Sequence, residues 1–548
     1  MPVAEFSPNE LKGAKVFLLL EIDFGTHGKF RISTEPINVP GTDGGQFDGG
    51  LDSLTFADAV DLFSTTESNR SVSVSVLLPV DVSKLIAKGF DPSRAVASLS
   101  QWIQGTEYND RQKLLVDVRL RNPQYGESYE PFRFTIRSNM FDDQTVIPPI
   151  DAVINEITFP NSTEWQQGKP YPWIFGTPGK VKSLTSSSFA YNFAVPAYPV
   201  TIDSSTFAFV IAGHEMTPGT VVNIVEKAAP SAVHTVTVTN YRDDLGRLIS
   251  IAPYDGSAGA PFGPMTASGV GWDPGYESID FVASISAGGG VLNEQRTNPR
   301  RGAGEIIEYL LDYAPTLPFD RGKTRTASNT INEYTLDGVI SEPVEVWRFL
   351  RANVLPYVPV SISQSADGMF PIPWHKDMTE NDTVAVVDAE KEQWERTSPI
   401  TVEFLDGKPQ NKFSIAFHKG ALSDSMLMRS SLDGKLKTSN SYARTSYKRY
   451  GTQNRPEEDA ICFYRQSDVD AVLSWWSRIY GFPVKSVEYV AALQWGWLNA
   501  GDYIVFSDFR ISVTDQIAIV QSIEFSDDQI VGFRLVWLED LPRDSRFL

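Results

Sequence analysis

Cysteine is almost missing from this chain: one residue, Cys462, occurs in 548. A lone thiol excludes an intrachain disulfide and any Cys-built zinc or iron–sulfur centre. Set between Ala460-Ile461 and Phe463-Tyr464, it reads as a small core residue. Histidine is scarce as well. His27, His214, His234, His375 and His418 are far apart, with neither H-E-x-x-H nor H-x-H spacing. A metal site would therefore have to gather ligands from distant segments, and the five are expected as surface or hydrogen-bonded core residues. No stretch approaches the roughly 20 apolar residues of a membrane helix. The apolar run at 16–20 is too short for a secretory leader and ends at Glu21. The expectation is a chain made in a cytoplasm, without stable membrane insertion.

Positive charge is also in deficit. Lys and Arg number 48 against 68 Asp and Glu, a formal net charge of -20. An acidic surface repels phosphate, which disfavours sequence-independent grip on nucleic acid and on anionic membranes. Two readings stay open: solubility in a crowded or salty medium, or a passage through which nucleic acid slides without sticking.

Catalytic signatures are missing in turn. There is no G-x-S-x-G elbow and no G-x-x-x-x-G-K-[ST] phosphate loop; Arg301-Gly302-Ala303-Gly304 is too short and lacks the lysine. Gly213-His214-Glu215 follows an apolar run at 207–211 and reads as a strand-ending turn rather than a catalytic dyad. The carboxylate pairs Asp142-Asp143, Asp243-Asp244 and Asp527-Asp528 invite comparison with glycosidases. Adjacent residues on a strand point to opposite faces, however, and in loops such pairs are turn residues. The Gly- and Asp-rich stretch 43–52 lacks the oxygen spacing of an EF-hand loop. No catalytic, cofactor-binding or metal-binding residue is assigned, no cofactor is expected, and the chain is not expected to be an enzyme.

The apolar share of 42% and charged share of 21% are those of an ordinary globular protein, and the length suggests three or four domains. The prevailing period is two. Ser71-Val72-Ser73-Val74-Ser75-Val76 alternates strictly, as a half-buried strand does, and so do 132–136 and 413–417. Further strands are expected at 16–24, 114–120, 207–211, 221–225 and 234–239. The segments 518–525 and 530–537 flank Ser526-Asp527-Asp528-Gln529 as a hairpin. Helices are fewer. Asp91 and Pro92 open one whose face carries Val96, Leu99, Trp102 and Ile103. A second spans 305–313 with Ile306, Tyr309, Leu310 and Tyr313 inward, and a third runs from Pro343 to Asn353. The fourth, 468–480, has Ser467 and Asp470 as a capping pair, stops at Gly481 and Pro483, and turns Val469, Val472, Leu473, Trp476 and Ile479 inward.

The expected class is mainly β with a few helices, multidomain, with barrel or sandwich domains. The Pro-, Gly- and aromatic-rich stretch 161–181 reads as a linker or crossing segment, 256–276 as a long loop, and Gly288-Gly289-Gly290 as a joint. Boundaries near 165, 295 and 390 give a β-rich domain 1–165 with an inserted helix, a β domain 166–295 with Gly/Pro-rich loops, a small α+β domain 296–390, and a barrel-like domain 391–548 with one helix. No short-period repeat supports a solenoid or propeller. Local basic patches occur at Pro299-Arg300-Arg301 and at 435–449, the second interleaved with Tyr442 and Tyr447 and followed by Tyr450. Such a patch suits nucleic acid or, on an acidic chain, the acidic face of a neighbouring subunit.

Four phrases resemble those of siphophage tail-tip and baseplate-hub proteins. Arg121-Asn122-Pro123-Gln124-Tyr125-Gly126, with the return strand from Glu130 to Ile136, is similar to their strand, P-x-Y-G turn and strand. The run from Gly168 to Gly176, holding Tyr171, Pro172 and Trp173, resembles their G-x-x-Y-P-x-x-F-G crossing segment. Ser446 to Gly451 carries the R-Y-G phrase Arg449-Tyr450-Gly451 ahead of a helix. Trp497 to Val505 carries the Gly501-Asp502 turn before a closing hairpin. Each is ordinary turn chemistry by itself; the order of all four makes the resemblance.

The resemblance implies a homotrimeric hub with two similar barrel domains per chain, the N-terminal region and 391–548. Three copies would form a ring of pseudo-sixfold symmetry, reconciling a sixfold tail with a threefold tip. Its implied neighbours are the distal tail protein ring, the tape-measure protein and central tip or receptor-binding proteins. DNA would pass through without specific binding. The implied place is the distal end of a virion tail, assembled in the host cytoplasm. Tyr125, Gly126, Tyr171, Pro172, Trp173, Arg449, Tyr450, Gly451, Gly501 and Asp502 would be architectural. Two other classes remain: a receptor- or carbohydrate-binding tail protein, whose 12 Trp and 20 Tyr supply stacking platforms, and a β-rich polysaccharide hydrolase with converging carboxylates.

Overall fold

A computed structural model describes residues 15–60, 69–126, 130–137, 144–160, 162, 164–178, 194–203, 206–217, 219–227, 233–254, 280–287, 300–314, 320, 322, 331–374, 382–405, 407–421, 425–436, 439–526 and 530–538. Among these the fold is mainly β, with five α-helices: α1 Val82–Ala87, α2 Ala303–Tyr313, α3 Val346–Asn353, α4 Ser441–Tyr450 and α5 Gln466–Ile479. The alternating segments form strands, including Asn69–Val76, Phe132–Arg137 and Lys412–Lys419. The expected 518–525 and 530–537 pair antiparallel as Val513–Ser526 and Ile530–Leu538. Their connecting residues, with Asp527 and Asp528, lie outside the described residues, as do 256–276 and Gly288 to Gly290.

The largest sheet has sixteen strands and draws on both ends of the described chain. Val484–Ala492, Ile530–Leu538 and Val513–Ser526 lie side by side, and Val513–Ser526 then pairs with Leu51–Ala59, Ser522 opposite Ala59 and Ser526 opposite Thr55. From there the ladder continues through Asn69–Val76, Phe132–Arg137, Gln112–Gln124, Val96–Ile103 and Val16–Asp23. A sheet this wide must curl, and its core shows that it does. One apolar cluster holds Leu18, Phe56, Val74 and Phe134 together with Trp394, Tyr489, Trp495, Phe533 and Trp537. The two segments expected as separate barrels thus share one sheet and one core.

A second sheet of seven antiparallel strands occupies 195–287. Its two outermost members, His234–Thr237 and Thr239–Arg242, are consecutive in the chain, and Val238 alone separates them. The expected strand 234–239 is thus divided. Its first part pairs with Val221–Glu226 and its second with Leu248–Tyr254, so the sheet bends until its ends meet at Val238. Inside pack Phe207, Phe209, Ile211, Val222, Ile224 and Phe281. The strand Phe207–Ala212 is buried on both faces, which explains its unbroken apolar run. Its Ala208 and Val210 face outward against Ala152, Ile154, Phe159 and Tyr171.

Helices α2, α3 and α5 pack into a third core together with a three-stranded sheet, Met426–Asp433, Lys412–Lys419 and Glu458–Ala460. In α5 the expected face is buried: Val469, Val472, Leu473, Trp476 and Ile479 are each at most 4% exposed. Burial of each such side chain contributes about 1.5–3 kcal/mol. The helix begins earlier than expected, however, at Gln466. Ser467 and Asp470 form no capping pair; Asp470 accepts from Ser430 Oγ at 2.8 Å and from Gln466 at 2.7 Å. α2 buries Ile306, Ile307, Leu310 and Leu311, with Tyr309 and Tyr313 half-buried at its edge. α3 starts at Val346 rather than Pro343, because Val344–Glu345 first pairs with Val146–Ile147.

The helix expected at 91–103 is corrected. Asp91 and Pro92 begin a single 3-10 turn, Pro92–Arg94, and Val96–Ile103 is a strand paired along its whole length with Val16–Asp23. Leu99 and Ile103 enter the large core, while Trp102 packs on the opposite face with Phe17 and Leu19. A strand buried on both sides mimics helical spacing. The helix of this region is α1, capped by Asp81.

The core that α2 and α3 feed also takes Phe413, Ile415, Phe417 and Trp476. The expected boundary at 390 falls between Ala385–Asp388 and Glu395–Arg396, which both belong to the large sheet.

Candidate functional site

The crossing segment 168–176 is the most buried of the four phrases. Tyr171 is fully buried, and its N–H donates to Ala152 O at 2.8 Å. Pro172 O accepts from Gly213 N at 2.8 Å. Trp173 donates from Nε1 to Tyr309 Oη at 3.2 Å and packs edge-on against His214 and Tyr313. The strand Trp173–Phe175 then pairs with Gly338–Ile340. These residues therefore seat the seven-stranded unit against α2.

His214 completes that seat. Its Nε2 accepts from Ile174 N at 3.1 Å, and Nδ1 donates to Glu215 O at 3.0 Å. Burial holds its pKa down to about 4, so the ring is neutral. Both ring nitrogens serve the backbone, and the Glu215 carboxylate accepts from Asn240 instead. The turn reading of Gly213 to Glu215 fits this geometry.

Just past the segment lies a charged node. Asp337, 1% exposed, accepts from Thr177 N at 2.7 Å and from Arg301 Nε and Nη2 at 3.1 and 3.2 Å. Arg465 Nε stands 3.8 Å away and its Nη2 donates to Thr177 Oγ1 at 3.1 Å. Gly176 has φ +60°, in the left-handed region, and a Cβ there would collide with Asp337, so glycine is required on both counts. Arg301 is thus not part of a surface patch, and Arg300 lies over the Tyr309 ring at 5.3 Å.

The Gly501-Asp502 turn meets a second buried node. Asp502 Oδ2 accepts from Asn499 N at 2.7 Å and from Asn499 Nδ2 at 3.1 Å. Asn499 Oδ1 in turn accepts from Arg70 Nη2 at 2.8 Å. Arg70 also donates to Leu114 O at 3.0 Å and to Asp58 Oδ2 at 2.5 Å, and Asp58 accepts from Ala500 N at 3.2 Å. Burial pushes the Asp58 carboxyl upward, opposed by the charge of Arg70. Gly501 has φ +97°, and a Cβ would collide with Ile372.

Arg449, Tyr450 and Gly451 end α4, a helix that the alternating pattern did not announce. Asn440 caps its start at Ala443 N, 2.9 Å, and Gly451 closes it with φ +72°. Arg449 lies over the Phe482 ring at 5.5 Å, Tyr450 packs edge-on to Phe404, and Asn411 Nδ2 donates to Gly451 O at 2.8 Å. Tyr125 and Gly126 are exposed at the end of Gln112–Gln124. The ten architectural residues therefore occupy four separate places rather than one site.

Asp243 and Asp244 stabilise a turn. Arg247 pairs with Asp243 at 2.7 Å, and Asp244 accepts from Thr158 Oγ1 and Asn155 Nδ2. Asp142, Asp143 and His375 lie outside the described residues. Among the described residues no three His, Cys, Asp or Glu side chains gather as a metal-binding group, and no helix is long and apolar enough to cross a membrane.

Asp58, Arg70 and Asp337 escaped the sequence reading, and Arg301 was read only as part of a basic patch. For the first pair a signal existed. Leu54 and Phe56 alternate inward, and Asp58 is in phase with them; Arg70 is in phase with Val72, Val74 and Val76. Charges in the buried phase of facing strands mark an internal ion pair. Asp337 carries no such signal.

No protein-family model and no curated protein matches the chain. Among solved structures it is similar over 95% of its length to the tail protein from Neisseria meningitidis MC58, at 9% identity and TM-score 0.37, covering 96% of that chain. It is similar over 95% of its length to the prophage tail protein gp18 from Listeria monocytogenes EGD-e, at 7% identity and TM-score 0.32, covering 94% of that chain. A chain of the virion of a native gene transfer agent particle matches over 72% of this chain and 91% of its own length, at 10% identity and TM-score 0.39. These three solved structures are two tail proteins and a chain of a virion.

Proposed function

We propose that this chain is a structural subunit of a phage-type tail, a hub at the distal end whose copies surround a channel. The observation that carries the reading is the order of the four phrases at 121–136, 168–176, 446–451 and 497–505. Three of them fall at junctions: Tyr171 to Gly176 between the seven-stranded unit and α2, Arg449 to Gly451 at a helix end against Phe404 and Phe482, and Gly501-Asp502 against the Asp58–Arg70 pair.

The large sheet supports contact between copies. Its strand Ala385–Asp388 pairs with Tyr503–Asp508 on one side and has no second strand beside it among the described residues. Val384 and Val386, 45% and 65% exposed, lie along it, with charge confined to its end at Asp388, which pairs with Lys391 at 2.7 Å. An unpaired edge with exposed apolar side chains invites pairing with another chain. Three copies in a ring, meeting a distal tail ring on one side and tip proteins on the other, would cover it. A net charge of -20 suits a channel that DNA must traverse without adhering.

Light scattering on the purified protein tests this. A mass of three chains, with a ring in electron micrographs, is expected. A single-chain mass that no distal tail protein can raise would overturn it.

A further inference from the structure

A cleft of 460 Å³ opens beside the crossing segment, between the turn that precedes it, the strand Val195–Thr201, and the chain following Gly338–Ile340. Its volume falls in the range of small-molecule sites. Its chemistry is mixed in a particular way. Trp165 offers an indole that is 49% exposed, unusual for a residue type that is mostly covered. Lys169 Nζ lies 4.7 Å from the Trp165 ring centroid and 5.3 Å from that of Tyr198, with Asp280 Oδ1 at 4.0 Å. Glu342 lines the same cleft. Gln166 also lines it, is 2% exposed, and its Oε1 has no hydrogen-bond partner. An orphaned amide oxygen at a buried position is destabilising, and a ligand donor would recover that loss.

We propose that this cleft binds a saccharide, one or two sugar rings of a surface glycan. A sugar presents an apolar C–H face and a girdle of hydroxyls. The face stacks on the Trp165 indole. The hydroxyls donate to Gln166 Oε1 and to the carboxylates of Asp280 and Glu342, and accept from Lys169. An apolar ligand would strand these polar groups. Lys227 and Lys419 also line the cleft, but Asp280 and Glu342 stand among the three lysines and the chain carries a net charge of -20, which disfavours a nucleic acid strand.

Saturation-transfer NMR tests this with the assembled protein and three probes at millimolar concentration: cellobiose, diacetylchitobiose and a hyaluronan disaccharide. At least one is expected to receive saturation, with affinity falling about tenfold or more in Trp165→Ala, as truncation of an aromatic anchor does. Gln166→Leu should weaken it as well, while the assembly mass stays that of the wild type. Absence of transfer to all three overturns the proposal. So does transfer undiminished in both variants, and so does a hexaglutamate peptide that binds the cleft more tightly than any sugar. The readout is independent of how many copies assemble.

Discussion

Asp58 and Arg70 sit directly opposite each other on neighbouring strands, and their side chains, 0% and 1% exposed, meet at 2.5 Å. Through Arg70 the pair reaches Asn499, more than four hundred residues away, at the turn before Tyr503–Asp508. Removing one partner leaves a buried charge without compensation. Arg70→Met should therefore cost about 3–5 kcal/mol in urea unfolding. The double change Asp58→Leu with Arg70→Met should cost less than Arg70→Met alone. An equal or larger loss in the double variant would contradict the pairing.

Glycine is required differently at two turns. At Gly501 a Cβ meets Ile372 as well as a positive φ, whereas at Gly451 nothing lies within 4 Å. Gly501→Ala should cost at least about 1–3 kcal/mol, visible as a lowered melting temperature. Gly451→Ala should cost about 1 kcal/mol. The reverse order would be inconsistent with the Ile372 contact.

His214 makes stability depend on pH. Its folded pKa of about 4 lies below its usual 6.5, so acid protonates the unfolded chain first. The contribution is complete above pH 6.5 and is lost as pH falls from there toward 4. By pH 5 the loss is about 2 kcal/mol. The fall in unfolding free energy between pH 7.5 and 5 should be smaller by that amount in His214→Gln. An unchanged slope would show that the ring titrates normally.

Cys462 is 4% exposed, and burial pushes its thiol up to about 12. The native protein should therefore resist alkylation by iodoacetamide at neutral pH, since the thiolate is the reactive form. One equivalent should react once urea unfolds the core. Rapid labelling of the native chain would place the thiol at the surface.

Val386→Lys puts a charge on the bare edge beside Tyr503–Asp508. It should reduce the light-scattering mass toward one chain while changing stability by less than about 0.5 kcal/mol, as surface substitutions do. An unaltered mass would exclude that edge from the contact between copies.

Period two made the β class readable, and the inward face of α5 was readable residue by residue. Both follow from one-sided burial, which imprints a period on the sequence. Val96–Ile103 was misread because Leu99 and Trp102 serve cores on opposite sides, and α4 was missed because its buried residues are the small Ala443, Thr445 and Ser446. The phrases at 168–176 and 497–505 were legible as turns. Their partners were not, since Asp337, Arg301, Asp58 and Arg70 become neighbours only through long-range strand pairing.

The strand Leu51–Ala59 receives its second partner from residues 522–526. At the pace of ribosomal synthesis, on the order of a minute separates the two. Asn69–Val76 can cover one edge of this strand at once, but for that time its other edge stays open, a template for sticking to its neighbours on the polysome. Production of this protein should thus depend on holding chaperones, and truncated products should accumulate as insoluble material.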